Sequence, residues 1–270
     1  MIINIKTTLK KILRNIIKIS LINNFLNLLN RINDNDYYQI NVDNENFYFA
    51  KSNTLNEYRV NTFLTKEPET INWINTFKEK DIFWDIGANI GLYSIYAAVI
   101  SKCKVFSFEP SVFNLEILAR NINLNYQKNK ITIIPISLSS NKSISDFFCS
   151  STQKSGALSS FGNKVDQHGN ELKSLFSYLT LGVSVDELIE FYDLETPDYI
   201  KIDVDGNEHL ILQGAKEALK KCKGILLELS DDYFEQSSVS YKILKEYNFK
   251  LESKYYKSGS NQSNQIWYKI

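Results

Sequence analysis

Phe83-Trp84-Asp85-Ile86-Gly87-Ala88-Asn89-Ile90-Gly91 is an apolar run that ends in an acid, turns on two glycines and opens a helix at Gly91-Leu92-Tyr93-Ser94. Glycine suits both turn positions, because the backbone must reach conformations that a Cβ disfavours and must let a ligand come close. A buried strand that passes into a helix through such a turn marks the ligand crevice of a doubly wound sheet. Outward from it the same rhythm continues. Short apolar strands are expected at 82–86, 104–108, 131–135, 199–203 and 225–229, with helices around 91–101, 111–125, 207–221 and 236–247 between them. The last segments, 249–256 and 265–270, flank Lys257-Ser258-Gly259-Ser260-Asn261 and read as a closing hairpin. The fold class is therefore α/β: a doubly wound, Rossmann-like, mostly parallel sheet with a C-terminal antiparallel hairpin. It is expected to occupy residues 77–270, with an N-terminal accessory region of helix and small strands over 1–76.

Composition narrows the function. The 270 residues are 43% hydrophobic and 23% charged, a globular balance. Lys and Arg number 31, as do Asp and Glu, so bulk neutralisation of nucleic-acid phosphate is not the expected role. Cys103, Cys149 and Cys222 form no CxxC pair and read as buried thiols in a reducing, cytoplasmic setting. In Met1 to Asn30, Ile5, Leu9, Ile12, Ile16 and Ile19 recur at helical spacing among Lys6, Lys10, Lys11, Arg14 and Lys18. This predicts a basic amphipathic helix, either docked on the domain or touching an anionic membrane surface. Residues 140–197 interrupt the strand and helix alternation with Ser-rich and polar stretches, as a lid or substrate wall would.

The crevice chemistry follows from its acids. Gly87 and Gly91 stand as GxxxG, so the dinucleotide pattern GxGxxG is absent and a nicotinamide oxidoreductase is disfavoured. An acid at the strand end suits a cationic ligand without phosphates, and S-adenosylmethionine fits, its ammonium meeting Asp85. Glu109, in Phe108-Glu109-Pro110 at the next strand end, can accept from both ribose hydroxyls. Further on, Lys201-Ile202-Asp203-Val204-Asp205-Gly206-Asn207-Glu208-His209 gathers charge at the end of a central strand, and Glu228 ends the strand after it. A cluster of that kind lining a crevice points to catalysis, the alternative for Asp205 and Glu208 being a helix cap.

Together these segments resemble the FkbM family of S-adenosylmethionine-dependent methyltransferases, through D-x-G-A-N-x-G at Asp85 to Gly91 and K-x-D-V-D-G-x-E-x-x-x-L-x-G-A from Lys201. The resemblance implies O-methylation of a sugar or polyketide hydroxyl. It also implies cofactor contacts at Asp85, Gly87, Asn89, Gly91 and Glu109, with Ser137 of Ile136-Ser137-Leu138-Ser139 near the adenine. It places catalytic residues at Lys201, Asp203, Asp205 and Glu208, and aligns Ser184-Val185-Asp186-Glu187-Leu188 with the family's T-L-D-x-L. Asp205 stands where Glu is commoner, and Asn207 where a small residue is usual. For the proton of the acceptor hydroxyl, Asp203 is the candidate base, with Glu208, Lys201 and His209 in reserve. A metal-assisted variant would place Mg²⁺ on Asp203 and Glu228. The expected acceptor is a small molecule or a glycan precursor, with a polyketide or lipid acceptor, or a non-catalytic binding module, as alternatives. Nucleic acid is not expected, since Asp203-Val204-Asp205-Gly206 is acidic and lacks the proline turn of base-nitrogen enzymes.

Overall fold

A computed structural model describes residues 17–24 and 36–270. Residues 17–24 form helix α1, exposed at every position, with Ile17, Ile19, Leu21 and Ile22 all facing solvent. Of the expected amphipathic helix only Lys18 and Ile19 fall in this stretch; Ile5, Leu9, Ile12 and Ile16 with Lys6, Lys10, Lys11 and Arg14 lie outside the described residues. No helix among the described residues is long and apolar enough to cross a membrane.

The chain then runs β1 (Tyr37–Val42), β2 (Glu45–Ala50), α2 (Thr54–Asn61), α3 (Pro68–Ile74), β3 (Ile82–Ile86), α4 (Leu92–Tyr96), β4 (Lys104–Phe108), α5 (Val112–Leu124), β5 (Ile131–Ile134) and β6 (Ser137–Leu138). After these come β7 (Ser143–Cys149), β8 (Ser159–Phe161), β9 (Phe176–Val183), α6 (Val185–Tyr192), β10 (Tyr199–Ile202), α7 (Glu208–Gln213), α8 (Lys216–Lys221), β11 (Gly224–Ser230), α9 (Phe234–Glu246), β12 (Phe249–Tyr256) and β13 (Gln262–Lys269). The main sheet has seven strands in the order β12-β13-β11-β10-β3-β4-β5. β11, β10, β3, β4 and β5 are parallel, and β13 and β12 join antiparallel. Strand order reverses between β3 and β10, so the crevice opens at their carboxyl ends.

Side-chain alternation along the strands builds a core on each face. Phe83, Val105 and Leu226 point to one layer, whereas Trp84, Phe106, Ile200 and Leu227 point to the other. The first layer is completed by the N-terminal segments: Phe47 stacks on Tyr96 at 5.7 Å and Phe77 on Tyr199 at 4.1 Å. β2 would leave an unpaired edge. Asn121 of α5 and Asn125 at its C-terminal end instead accept from Ala50 N at 2.7 Å and Tyr48 N at 2.9 Å.

Two expectations need correction. The helix expected over 207–221 breaks into α7 and α8 at Gly214, where a Cβ would lie 2.5 Å from the Ser139 carbonyl oxygen. The 140–197 stretch, where no strands are expected, contributes β7, β8 and β9, which join β6 in a second sheet in the order β6-β9-β7-β8. Its pattern is masked because β9 has one face in water, so that Leu179 and Leu181 are exposed and the apolar residues do not mark a core. All three cysteines are buried and unpaired, as expected.

Candidate active site

The Gly87 turn is held by packing that only glycine permits. Its φ is 84°, and a Cβ there would stand 1.9 Å from the carbonyl oxygen of Asp203. β3 and the turn after β10 are thereby pressed together. Three connected hollows meet at Gly87. One is an apolar slot between Phe108, Ile136, Leu138 and Phe161, where the buried Ser137 hydroxyl has no partner. The next holds Glu109, Pro110 and Asn114. The third is bounded by Ile90, Leu92, Tyr93, Glu67 and Lys201. A base, a ribose and an amino-acid tail follow one another in that order in S-adenosylmethionine, so the residues present fit this ligand.

Glu109 Oε2 accepts from Asn89 N at 2.7 Å and Oε1 from Ser111 N at 2.8 Å. Burial pushes its carboxyl up to about 7 against those bonds. Asp85 does not line the hollows. It is buried beneath the turn, where Oδ2 accepts from the Ser94 hydroxyl at 2.5 Å and Oδ1 has no partner. The acids that do line the third hollow are Asp203 and Glu67, the latter at the start of α3. Burial and the Asp203 charge raise its carboxyl, but Lys201, Lys257 and Lys66 together hold it below its ordinary value. In the sequence Glu67 carries no signal beyond the following Pro68, which marks a helix start.

The predicted acid cluster separates into different roles. Asp203 lies where the cofactor hollows meet a wider cleft of about 320 Å³, which it lines with Asp205, Glu228, Lys257, Gln167 and Arg59. Lys201 Nζ sits 2.7 Å from Asp203 Oδ2 and 5.3 Å from the centre of the Tyr93 ring. Burial works against both charges. Even so, Lys201 and Lys257 hold the Asp203 carboxyl well below its usual range, and the acids Asp203, Asp85 and Glu67 keep Lys201 protonated. Glu228 is paired with Lys257 Nζ at 2.7 Å, yet burial and the neighbouring Asp203 push its carboxyl well up.

Glu208, expected in the active site, lies beneath it. Its carboxylate accepts from Val204 N at 3.1 Å and Gly206 N at 3.1 Å and is bonded by Gln236, so it shapes the turn carrying Asp203. Burial pushes it up to about 7. Asp205, at φ 60°, accepts from Leu158 N at 2.7 Å. His209 packs its ring against Tyr233 and lies outside the hollows, while the polar loop of His168 contributes Gln167 to the cleft instead. Asn207 ties the second sheet to the turn by donating to Ser160 Oγ at 3.1 Å and Phe161 O at 3.0 Å. Ser184 and Glu187 form a capping box at α6, and Asp186 caps α8 through Glu217 N and Ala218 N. That motif is structural here.

The donors proposed for Mg²⁺ do not fit a resident divalent ion. Asp203 and Glu228 each already face a lysine ammonium, and no group of three or more His, Cys, Asp or Glu among the described residues is arranged to hold a metal.

Residues 154–158 lie over the crevice. Gly156 O accepts from Asn89 Nδ2 at 2.7 Å and Asn114 Nδ2 at 3.1 Å, Ser155 O from Arg59 Nε at 2.8 Å, and Lys154 O from Asn53 Nδ2 at 3.0 Å. The excursion thus supplies a wall latched to both the cofactor turn and α2.

Residues 85–251 match the profile of the methyltransferase FkbM domain. Over 152 residues the chain is 28% identical to the hexuronic acid methyltransferase AglP of Haloferax volcanii, covering 56% of this chain and 57% of that protein. It is 32% identical over 87 residues to a tRNA (guanine(37)-N(1))-methyltransferase of Dictyostelium discoideum, covering 32% of this chain and 18% of the relative. The chain therefore spans little more than half of the first relative and less than a fifth of the second. Among solved structures, M. jannaschii TYW2 in complex with AdoMet covers 87% of each chain at 12% identity and a TM-score of 0.42.

Proposed function

The chain belongs to the FkbM family of methyltransferases, and from that premise we propose that it transfers the methyl group of S-adenosylmethionine to a hydroxyl oxygen of a sugar or glycan precursor. The observation that carries the proposal is the junction at Gly87, where a nucleoside-shaped set of hollows opens beside the ionised carboxylate of Asp203. S-Adenosylmethionine supplies the methyl on a sulfonium. In this reading Ser137 faces the base, Glu109 accepts from the ribose hydroxyls, and the zwitterionic tail lies by Glu67 and Lys201. Asp85 serves by fixing the turn through Ser94.

The acceptor oxygen bonds to the methyl carbon as the carbon–sulfur bond breaks, its electron pair passing to sulfur. The hydroxyl proton passes to Asp203. With its pKa held down, Asp203 is a weak base toward a free hydroxyl. A methylated oxygen that still carries its proton is strongly acidic, so a carboxylate suffices to take that proton late in the step. Lys201 keeps Asp203 charged and oriented, and Glu208 sets the turn. The acidic turn at 203–206 favours a sugar over a phosphate-bearing strand, and the hexuronic acid methyltransferase named among the relatives points the same way.

The test is transfer of tritiated methyl from S-adenosylmethionine to a panel of sugars and lipid-linked glycans, with the product methoxy group located by NMR. Asp203→Asn is expected to lower turnover by about 10²- to 10⁴-fold while leaving the affinity for S-adenosylhomocysteine near that of the parent. Full turnover in this variant removes Asp203 from the chemistry.

A further inference from the structure

The third hollow is lined by the cations Arg59, Lys66 and Lys201 and by the acids Glu67 and Asp203. Lys201 is spent on Asp203 at 2.7 Å, and Lys66 faces Glu67 at 3.5 Å. Arg59 is left over. No carboxylate among the described residues lies within ion-pairing distance of its guanidinium, whose Nε donates to Ser155 O at 2.8 Å in the overlying wall. Phe63, which lines the same hollow and packs among Phe49, Tyr93 and Tyr96, fixes the end of α2 from which Arg59 reaches in. A half-buried guanidinium held at Nε, with its terminal nitrogens unmatched, suits a planar carboxylate bound through two parallel bonds.

The glycine turn beneath offers such an anion little competition. Gly87 N and Ala88 N both donate to Phe108 O at 3.0 Å, Gly91 N donates to Ala88 O at 2.8 Å, and Asn89 N is committed to Glu109. A carboxylate entering this hollow meets paired lysines, occupied amides and one open guanidinium.

We propose that Arg59 binds the carboxylate of the methionyl tail of S-adenosylmethionine, so that the accessory region completes the cofactor site. This rests on the reading of the three hollows as the site of that cofactor. Glu67 is left to answer the ammonium, and Lys201 stays with Asp203. Arg59 and Glu67 both precede residues 85–251, the part that matches the methyltransferase domain. Base and ribose are thus held from within that part and the amino-acid tail from outside it.

The experiment measures binding to the full chain by calorimetry for S-adenosylhomocysteine, for its decarboxylated analogue, which keeps the ammonium, and for 5′-methylthioadenosine, which has neither group. S-Adenosylhomocysteine is expected to bind about tenfold or more tightly than the decarboxylated analogue. Arg59→Gln keeps a donor for Ser155 O and is expected to remove that preference, with Arg59→Lys intermediate. The affinities of both variants for the decarboxylated analogue and for 5′-methylthioadenosine should change by less than about twofold, which also reports that they fold. A preference for S-adenosylhomocysteine that survives Arg59→Gln overturns the proposal, and Arg59 would then serve the wide cleft that it also borders. Equal weakening of all three ligands in both variants overturns it too, because Arg59 would then act through the wall rather than on the carboxylate. Equal binding of the three nucleosides by the parent chain overturns this assignment alone, whereas binding of none overturns the cofactor reading along with it.

Discussion

At the scale of single residues, the site depends on acids whose environments differ sharply over a few ångströms. Asp203 is kept ionised by two lysines, whereas Glu109 and Glu208 are both pushed up to about 7 by burial. Each of the last two has a folded-state pKa above its ordinary 4.5, so its stabilising contribution is complete below that value and disappears as pH rises through about 7. Asp203 has the opposite sign, its contribution being present above 3.8 and lost only in strong acid. The ligand-free protein should therefore lose stability between about pH 5 and 8. Chemical denaturation across that range is expected to show a shallower loss in Glu109→Gln than in the parent, and an identical slope would contradict the burial argument. Several of these residues were legible in the sequence as strand-end acids. Their division of labour was not, because Glu208 and Asp85 differ from Asp203 and Glu109 only in which side of a turn their carboxylates occupy, and that depends on contacts with Gln236 and Ser94.

The elements show how much a turn can dictate. Strands β3, β4, β10 and β11 fall within a residue or two of their sequence-based positions, because a parallel strand buried on both faces is a plain apolar run. The second sheet was illegible for the converse reason, since its longest strand, β9, is wetted on one face. The Gly87 turn was legible, and the structure adds that its neighbour is the Asp203 carbonyl. Gly87→Ala forces a side chain into the left-handed region, at about 1–2 kcal/mol. It also drives a methyl into a backbone oxygen, adding about 1–3 kcal/mol of overpacking. A fall in thermal midpoint together with loss of cofactor binding is expected. A variant that melts like the parent would show that β3 and the turn after β10 can separate freely.

For the whole molecule, the segments before β3 share the core of the catalytic sheet. Phe63 is 1% exposed and meets Phe49 at 5.7 Å, Tyr96 at 5.8 Å and Tyr93 at 6.0 Å, while also lining the third hollow. Phe63→Ala should cost about 3–5 kcal/mol and weaken cofactor binding, and the chain should unfold in one transition by both circular dichroism and tryptophan fluorescence. Two separate transitions would mean that the N-terminal segments fold apart from the sheet. The accessory region is expected from the sequence to help build the acceptor pocket, but no motif marks its residues: Glu67 and Arg59 reach the crevice because Phe47, Phe63 and Trp73 dock their elements there. Lys257, from the turn of the closing hairpin, arrives by the same route.

The most direct test of the account is calorimetric titration of the intact chain with S-adenosylhomocysteine. One site per chain, with micromolar affinity and an enthalpy that vanishes in Glu109→Ala, is the predicted result. The absence of any binding heat from the folded parent chain would contradict it.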